Sequence, residues 1–237
     1  MKKSVLITGA DRGLGLAMVK EFLKIDYNVY AGQYLADWLE LNELQGRYKN
    51  KLTIIPLDVT DDQSVKNAYG IVREKTKSID MLINNAGISG SAGDIFNLHD
   101  TKKGLTLFNA NCLGAIRMVY GFLPLMTEES DKRLSFISSE SGCISVCHRS
   151  EGFIYPMSKT ALNMAVRLLF EELYPRGFTF RLFHPGWVKS YMSGKKSTAG
   201  KFEPEESAAS AIKFFTGDLQ HEDVLKMYDN EFSVWPF

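Results

Sequence analysis

The stretch Ser4-Val5-Leu6-Ile7-Thr8-Gly9-Ala10-Asp11-Arg12-Gly13-Leu14-Gly15 decides how this chain folds. A short apolar run enters a glycine turn, and an amphipathic helical pattern leaves it over 14–24. That order reads as a buried strand followed at once by a helix. Glycines at 9, 13 and 15 allow a tight turn and a close backbone approach, because no Cβ stands in the way. The helix then points free N–H groups and the positive end of its dipole over the strand's end, which suits a pyrophosphate. Close packing of helix on sheet would also ask for glycine here, so the turn is weighed with the rest of the chain.

The same alternation continues outward from the turn. Strands are expected at 4–8, 28–32, 52–57, 80–84, 134–138, 178–183 and 224–228, the last followed by an Asp229-Asn230 turn. Helical patterns fall at 14–24, 37–44, 62–75, 101–126, 155–173 and 205–215, with Asp61-Asp62 as capping candidates for the third. Strand–helix alternation with right-handed crossovers gives an α/β, Rossmann-like, doubly wound parallel sheet with helices on both faces. No linker, repeat or low-complexity tract divides the chain, so 1–237 is expected to be a single domain. Residues 189–202, rich in Ser, Gly and Lys, follow a strand's carboxyl end, where a substrate lid is expected.

Composition narrows the function classes. The 237 residues are 45% hydrophobic and 24% charged, with 28 basic and 28 acidic side chains. No basic stripe points to nucleic acid and no acidic tail to a solvating segment. The apolar run after Met1-Lys2-Lys3 is too short for a signal peptide, and no stretch approaches the ~18 apolar residues of a membrane span. A cytoplasmic protein without membrane contact follows as the expectation. The three cysteines, Cys112, Cys143 and Cys147, make no disulfide framework. Cys143, Cys147 and His148 lack a second ligand pair at metal-site spacing, so no metal is expected.

Tyr155 and Lys159 are four apart at the start of a helix, on one face. A free phenol, with a pKa near ~10, is a poor base at neutral pH. An ammonium about 5 Å away, at an effective dielectric near ~20, favours the phenolate by roughly 3 kcal/mol. That is about two pKa units, with desolvation opposing. The pair alone is common on helix surfaces; its neighbours in sequence give it meaning.

Several motifs in order carry a specific resemblance: Thr8-Gly9-Ala10-Asp11-Arg12-Gly13-Leu14-Gly15, Asp58-Val59, Asn84-Asn85-Ala86-Gly87, Asn111, Ile137-Ser138-Ser139, Tyr155-Pro156-Met157-Ser158-Lys159 and His184-Pro185-Gly186-Trp187-Val188-Lys189-Ser190. The chain resembles the short-chain dehydrogenase/reductase family over essentially its whole length. Within it, the turn, His-Pro-Gly-Trp-Val and the ending Tyr228-Asp229-Asn230-Glu231-Phe232-Ser233-Val234-Trp235 resemble the carbonyl-reductase branch with its Sniffer- and C-factor-like members.

The resemblance implies a nicotinamide-dependent oxidoreductase acting on a small-molecule carbonyl or alcohol. It implies Tyr155 as general acid/base, Ser139 as the hydroxyl that holds the substrate oxygen, Lys159 on the nicotinamide ribose, and Asn111 on a water joining Lys159 to solvent. Ser138 and Ser141 compete with Ser139. The implied cofactor contacts are Gly9, Arg12, Gly13, Leu14, Gly15, Gln33, Asp58, Val59, Asn85, Ala86, Gly87, Tyr155, Lys159, Pro185, Gly186, Val188 and Ser190. No carboxylate follows the second strand until Asp37, and Arg12 resembles the basic residue of NADP-using members. NADP(H) is therefore favoured over NAD(H), although Gln33 stands where many of those members carry a second basic residue.

Ser139 and Tyr155 are sixteen apart, a few more than usual in the family. The extra residues fall in 143–153, which is expected to line the substrate pocket. His148 and Arg149 there suit either an anionic substrate or plain solvent exposure. Ile88, Ser89, Phe153, Trp187, Tyr191 and Met192 are candidate pocket walls by position, and His184 reads as a structural hydrogen-bonding residue. The helices at 101–126 and 155–173 correspond to those that pair across subunits, which implies a homodimer or homotetramer. The alternative function is a non-catalytic NADP(H)-sensing regulator on the same fold, for which the full Tyr, Lys, Ser and Asn set would be unnecessary.

Overall fold

The computed structural model describes residues 2–91, 93–97, 101–192 and 196–237. Seven parallel strands and one antiparallel strand form a single sheet in the order β3-β2-β1-β4-β5-β6-β7-β8. They are β1 Ser4–Ile7, β2 Asn28–Gln33, β3 Leu52–Pro56, β4 Met81–Asn84, β5 Arg133–Ile137, β6 Thr179–His184, β7 Met227–Asp229 and β8 Val234–Trp235. Val5 pairs with Val29 on one side and Met81 on the other. The strand order therefore reverses between β1 and β4, and the loops leaving their carboxyl ends flank the crevice where such sheets bind ligands.

Side chains on a strand alternate faces, and β1 uses both. Leu6 joins a core under α3 Asp62–Lys75, α5 Gly114–Phe122 and α6 Ile154–Leu173. Val5 and Ile7 join the core of the other face, under α1 Gly13–Lys24, α2 Glu40–Arg47 and α7 Pro204–Thr216. α6 shows why the sequence forms these layers. Pro156 lies in its first turn, where proline is tolerated, and Leu162, Val166, Phe170 and Leu173 repeat at helical spacing on the buried face. Asp61 caps α3, its carboxylate accepting the Gln63 N–H at 3.0 Å.

Three expectations are corrected. The pattern at 101–126 is not one continuous helix: α4 Lys102–Phe108, a π turn at Asn109–Leu113 and α5 follow one another, and a 3-10 turn at Leu123–Leu125 carries Pro124. The wider π turn holds Asn111, a placement typical of functional positions. The second helix lies at Glu40–Arg47 rather than 37–44. The last strand is β8, not the segment at 224–228. The Asp229 carboxylate accepts the N–H groups of Glu231 and Ser233, both at 2.9 Å, and turns the chain back along β7. A two-residue strand is too short to leave an alternation in the sequence.

Candidate active site

The glycine turn is built as its composition demands. Gly9 and Gly13 have φ of +61° and +55°, the left-handed region that favours glycine. A Cβ on Gly15 would lie 2.0 Å from the Gly9 carbonyl oxygen. β4 locks the turn from below: Thr8 Oγ1 accepts the N–H groups of Asn85 and Ala86 at 3.0 and 2.9 Å, and Asn85 Nδ2 donates to the carbonyls of Thr8 and Gly9 at 2.8 and 3.0 Å. α1 starts at Gly13 with no side-chain cap. An uncapped helix start beside backbone without Cβ atoms fits a phosphate group.

Beside the turn, Arg12 lies 3.4 Å from Asp11 and its guanidinium stands 5.3 Å over the Trp38 ring. Gln33 ends β2 buried, with no partner for its Nε2. A buried amide donor without a partner fits an anionic or hydroxyl-bearing group arriving there. Asp58 accepts from Thr60 N and Oγ1 at 2.8 and 2.7 Å, and Val59 is buried against Gly114. Beyond β6, Gly186 has φ +71°, the Pro185 carbonyl accepts from Ser207 and Asn230, and Val188 bridges to Phe202. Ser190 is half-buried. The fastening of Val188 to Phe202 ties the two ends of the expected lid, of which 193–195 lie outside the described residues.

α6 carries both Tyr155 and Lys159, and the end of β5 brings Ser139 to them. Lys159 is buried and its Nζ donates to the Ile137 carbonyl at 3.0 Å, lying 5.9 Å from the centre of the Tyr155 ring. Burial pushes its ammonium down to about 8. Burial also pushes the Tyr155 phenol up to about 12; the Ser139 hydroxyl beside it acts the other way. The expected fall of the tyrosine pKa is thus reversed in sign. Desolvation outweighs the Ser139 hydrogen bond and the Arg149 charge that oppose it, and the Lys159 ammonium is itself buried and turned to a carbonyl. The phenol is held in its acid form.

The competing serines separate by their partners. Ser138 donates to Asn163 and is spent on tying β5 to α6. Ser139 Oγ accepts the Ser141 N–H at 3.1 Å and donates to Glu140 at 2.7 Å. Ser141 is buried behind it. Asn111 accepts the Ile88 N–H at 2.8 Å and donates to the Ile88 carbonyl and to Ser158 Oγ, both at 2.9 Å. Its side chain joins the loop after β4, on which Gly87 and Ile88 sit, to the start of α6.

Ile88 packs with Tyr155 around Ile154 and Leu107. Ser89 is half-buried, while Phe153 and Trp187 are exposed. Tyr191 packs edge-on against Trp38 at 4.7 Å, toward Arg12, and Met192 beside it is half-buried. His184 is buried, with Nε2 3.7 Å from Glu140, Nδ1 without a partner and the Trp235 ring edge-on at 5.4 Å. Burial holds it below the usual imidazole range. Sequence reasoning missed Glu140 and Trp38. The signal for Glu140 was a carboxylate directly after the serine pair; Trp38 lay in a stretch read as helix.

No group of three or more His, Cys, Asp or Glu that could hold a metal occurs among the described residues. No described helix is long and apolar enough to cross a membrane. The three cysteines are free; Cys112 and Cys143 are buried, and burial pushes Cys143 up to about 11.

The sequence profile of the family described as short chain dehydrogenase matches residues 3–201. The chain belongs to the short-chain dehydrogenase/reductase family, and with it to the NAD(P)-dependent oxidoreductases. An uncharacterized oxidoreductase of Schizosaccharomyces pombe is 32% identical, with 99% of this chain and 98% of the relative covered. C-signal of Myxococcus xanthus is 37% identical over 52% of this chain and 74% of its own length. The NADPH-bound carbonyl reductase from chicken fatty liver superposes with a TM-score of 0.88 at 29% identity, covering 100% of this chain and 99% of its own. The carbonyl reductase Sniffer of D. melanogaster shares the fold at TM-score 0.89 and 22% identity, covering both chains fully.

Proposed function

We propose that this chain reduces the carbonyl group of a small molecule, with NADPH preferred over NADH as hydride donor. The observation that carries the reading is the geometry that brings half-buried Tyr155 and buried Lys159, one turn apart on α6, to Ser139 at the end of β5, with desolvation favouring the acid form of the phenol. A bound nicotinamide supplies the hydride. Tyr155 gives its proton to the oxygen as negative charge develops there. Ser139 and the phenol lie on one side of that oxygen and orient it. Lys159 reaches the nicotinamide ribose, and Asn111 keeps the helix that carries Tyr155 and Lys159 in register with the loop after β4. Gly9, Gly13, Leu14 and Gly15 cradle the pyrophosphate, with Asp58, Val59, Asn85, Ala86 and Gly87 along the adenosine and ribose and Pro185, Gly186, Val188 and Ser190 at the nicotinamide end. Arg12, with Gln33, meets the 2′-phosphate, and the NADPH-bound chicken enzyme supports that choice.

Two further readings belong to the proposal. Leu113, Ile116 and Tyr120 on or beside α5 and Met157, Met164 and Leu168 on α6 expose apolar surface, which a second copy of the chain covers in a homodimer. Sedimentation giving only the 26.7 kDa chain mass removes this. The exposed free Cys147 fits a reducing, cytoplasmic setting.

The test follows loss of reduced-nicotinamide absorbance with NADPH or NADH and a panel of ketones, aldehydes and quinones. Turnover that falls by about a hundredfold or more in Tyr155→Phe is expected. Turnover surviving the change unaltered sinks the assignment of the proton donor. Tight NADPH binding without turnover on any substrate favours a cofactor-sensing protein instead.

A further inference from the structure

Trp38 lies in the loop between β2 and α2, half-buried, and among the described residues it joins neither face's core. Its ring partners come from two other loops. The Arg12 guanidinium, in the glycine turn after β1, stands 5.3 Å over the indole. The Tyr191 ring, in the segment after β6, meets it edge-on at 4.7 Å. Asp11 also joins the first two loops. One of its carboxylate oxygens accepts the Tyr34 N–H and the other the Arg12 guanidinium, both at 3.4 Å.

The sheet order makes the contact with Tyr191 a long reach. β1, β4 and β5 lie between β2 and β6, which sets those two strands four spacings, or about 19 Å, apart. A contact between the loops leaving β2 and β6 therefore passes over the carboxyl edge where the crevice between β1 and β4 opens. The segment after β6 is otherwise fastened to itself. Val188 bridges to Phe202, and the Ser197 and Lys201 N–H groups donate to the carbonyls of Ser190 and Trp187 at 2.8 and 2.7 Å. Tyr191 fastens it to the far side of the crevice.

We propose that Trp38 is a positioning residue for the cofactor: it holds the Arg12 guanidinium ready for a 2′-phosphate and clasps the 189–202 lid through Tyr191, so that recognising this phosphate and closing the lid are one event. This role rests on the NADPH reading. A guanidinium stacked on an aromatic face keeps its N–H groups in its own plane, where a phosphate takes two of them without displacing the ring. Ordering Arg12 orders the indole beneath it, and Tyr191 then docks on a ring already in place, at a smaller entropic cost. Coupling of this kind is reciprocal, so losing Tyr191 weakens the phosphate contact just as losing the phosphate loosens the lid.

The experiment uses the full chain with adenosine 2′,5′-bisphosphate and adenosine 5′-phosphate, neither of which carries a nicotinamide for the lid to touch. Binding is measured by calorimetry, and lid closure by the rate of tryptic cleavage after the exposed Lys196. In wild type the bisphosphate should slow that cleavage at least about threefold, and the monophosphate should not. Trp38→Ala should lose the protection, and Trp38→Phe, which keeps an aromatic face, should retain most of it. Tyr191→Ala should weaken bisphosphate binding about threefold or more in an otherwise wild-type chain, the size of one aromatic pair, and have no further effect on top of Trp38→Ala. Protection that persists in folded Trp38→Ala, or additive losses in the double variant, overturn the clasp and leave a 2′-phosphate preference, and with it the NADPH reading, standing. Equal binding of the two nucleotides overturns the NADPH reading and the clasp together. None of these readouts needs turnover, so they judge the clasp separately from the reductase reading.

Discussion

Lys159 donates to the Ile137 carbonyl at 3.0 Å although Tyr155 is its helix neighbour one turn away. An ammonium used in this way, and buried, is costly to keep charged, and its pKa falls from 10.5 to about 8. The sign of the effect on stability follows. Below about pH 8 both folded and unfolded chains carry the charge and the folded chain bears the full penalty. Between about 8 and 10.5 only the unfolded chain keeps the proton, so stability rises with pH across that window. Lys159→Met should therefore abolish turnover and stabilise the fold at pH 7, by about 3 kcal/mol at the upper end. Urea unfolding at pH 7 and again near pH 9.5 checks it, because the gap between variant and wild type should shrink at the higher pH. A variant less stable than wild type at pH 7 sinks the argument.

The glycine turn separates two costs that sequence alone lumps together. Gly13 has φ +55° but nothing within 4 Å of an added Cβ, whereas Gly15 would place one 2.0 Å from a backbone oxygen. Gly13→Ala should lose about 1 kcal/mol from backbone strain and retain most NADPH binding. Gly15→Ala must move the turn itself, and should weaken NADPH binding at least about tenfold more than Gly13→Ala does. Titration of NADPH fluorescence on both variants decides it; equal losses would mean that the close contact is relieved elsewhere.

How much of this was legible in the sequence depends on the length scale of each signal. β1, the turn and α1 were readable because apolar run, glycines and helical period adjoin. The π turn at Asn109–Leu113 left no trace, since one extra backbone residue per turn hardly alters an apolar pattern. β8 was invisible because its registration comes from Asp229 and from the Trp235 indole N–H donating to that carboxylate at 2.8 Å. Tyr155, Lys159 and Ser139 were chosen from motif order, and the fold brings them together. The sign of the Tyr155 shift was not legible, because spacing gives the distance to a charge but not the burial of both partners. Trp38 against Arg12 and Tyr191 joins three loops far apart in the chain, and no local pattern encodes it.

Arg12 directly precedes the uncapped start of α1 and is held over Trp38 rather than by a strong ion pair, its distance to Asp11 being 3.4 Å. It is therefore available to a 2′-phosphate. Arg12→Ala should raise KM for NADPH about tenfold or more while leaving NADH within about threefold, the loss of one charge-assisted contact to an anion. Steady-state kinetics with both cofactors test this. A parallel loss for both would assign Arg12 to the turn's structure instead of to cofactor choice.

Arg181 on β6 is fully buried, and its guanidinium is shared between Glu222, at 2.6 and 2.7 Å, and the carbonyls of Phe214 and Gly217 at 3.2 and 2.7 Å. It thereby satisfies backbone acceptors at the end of α7, work that water does at an exposed helix terminus. Glu222 is the acidic member of the arrangement and is only partly exposed. Removing it leaves a buried cation with carbonyl dipoles but no counter-charge, a loss of about 3 kcal/mol. Glu222→Gln keeps the hydrogen-bond acceptor and should lose less, about 1–2 kcal/mol. Both variants should retain wild-type kcat, because α7 packs on the face of the sheet opposite to α6. Urea unfolding with parallel assays separates the outcomes. If Glu222→Ala unfolds within about 0.5 kcal/mol of wild type, the carbonyls alone neutralise Arg181 and the ion pair adds nothing to stability.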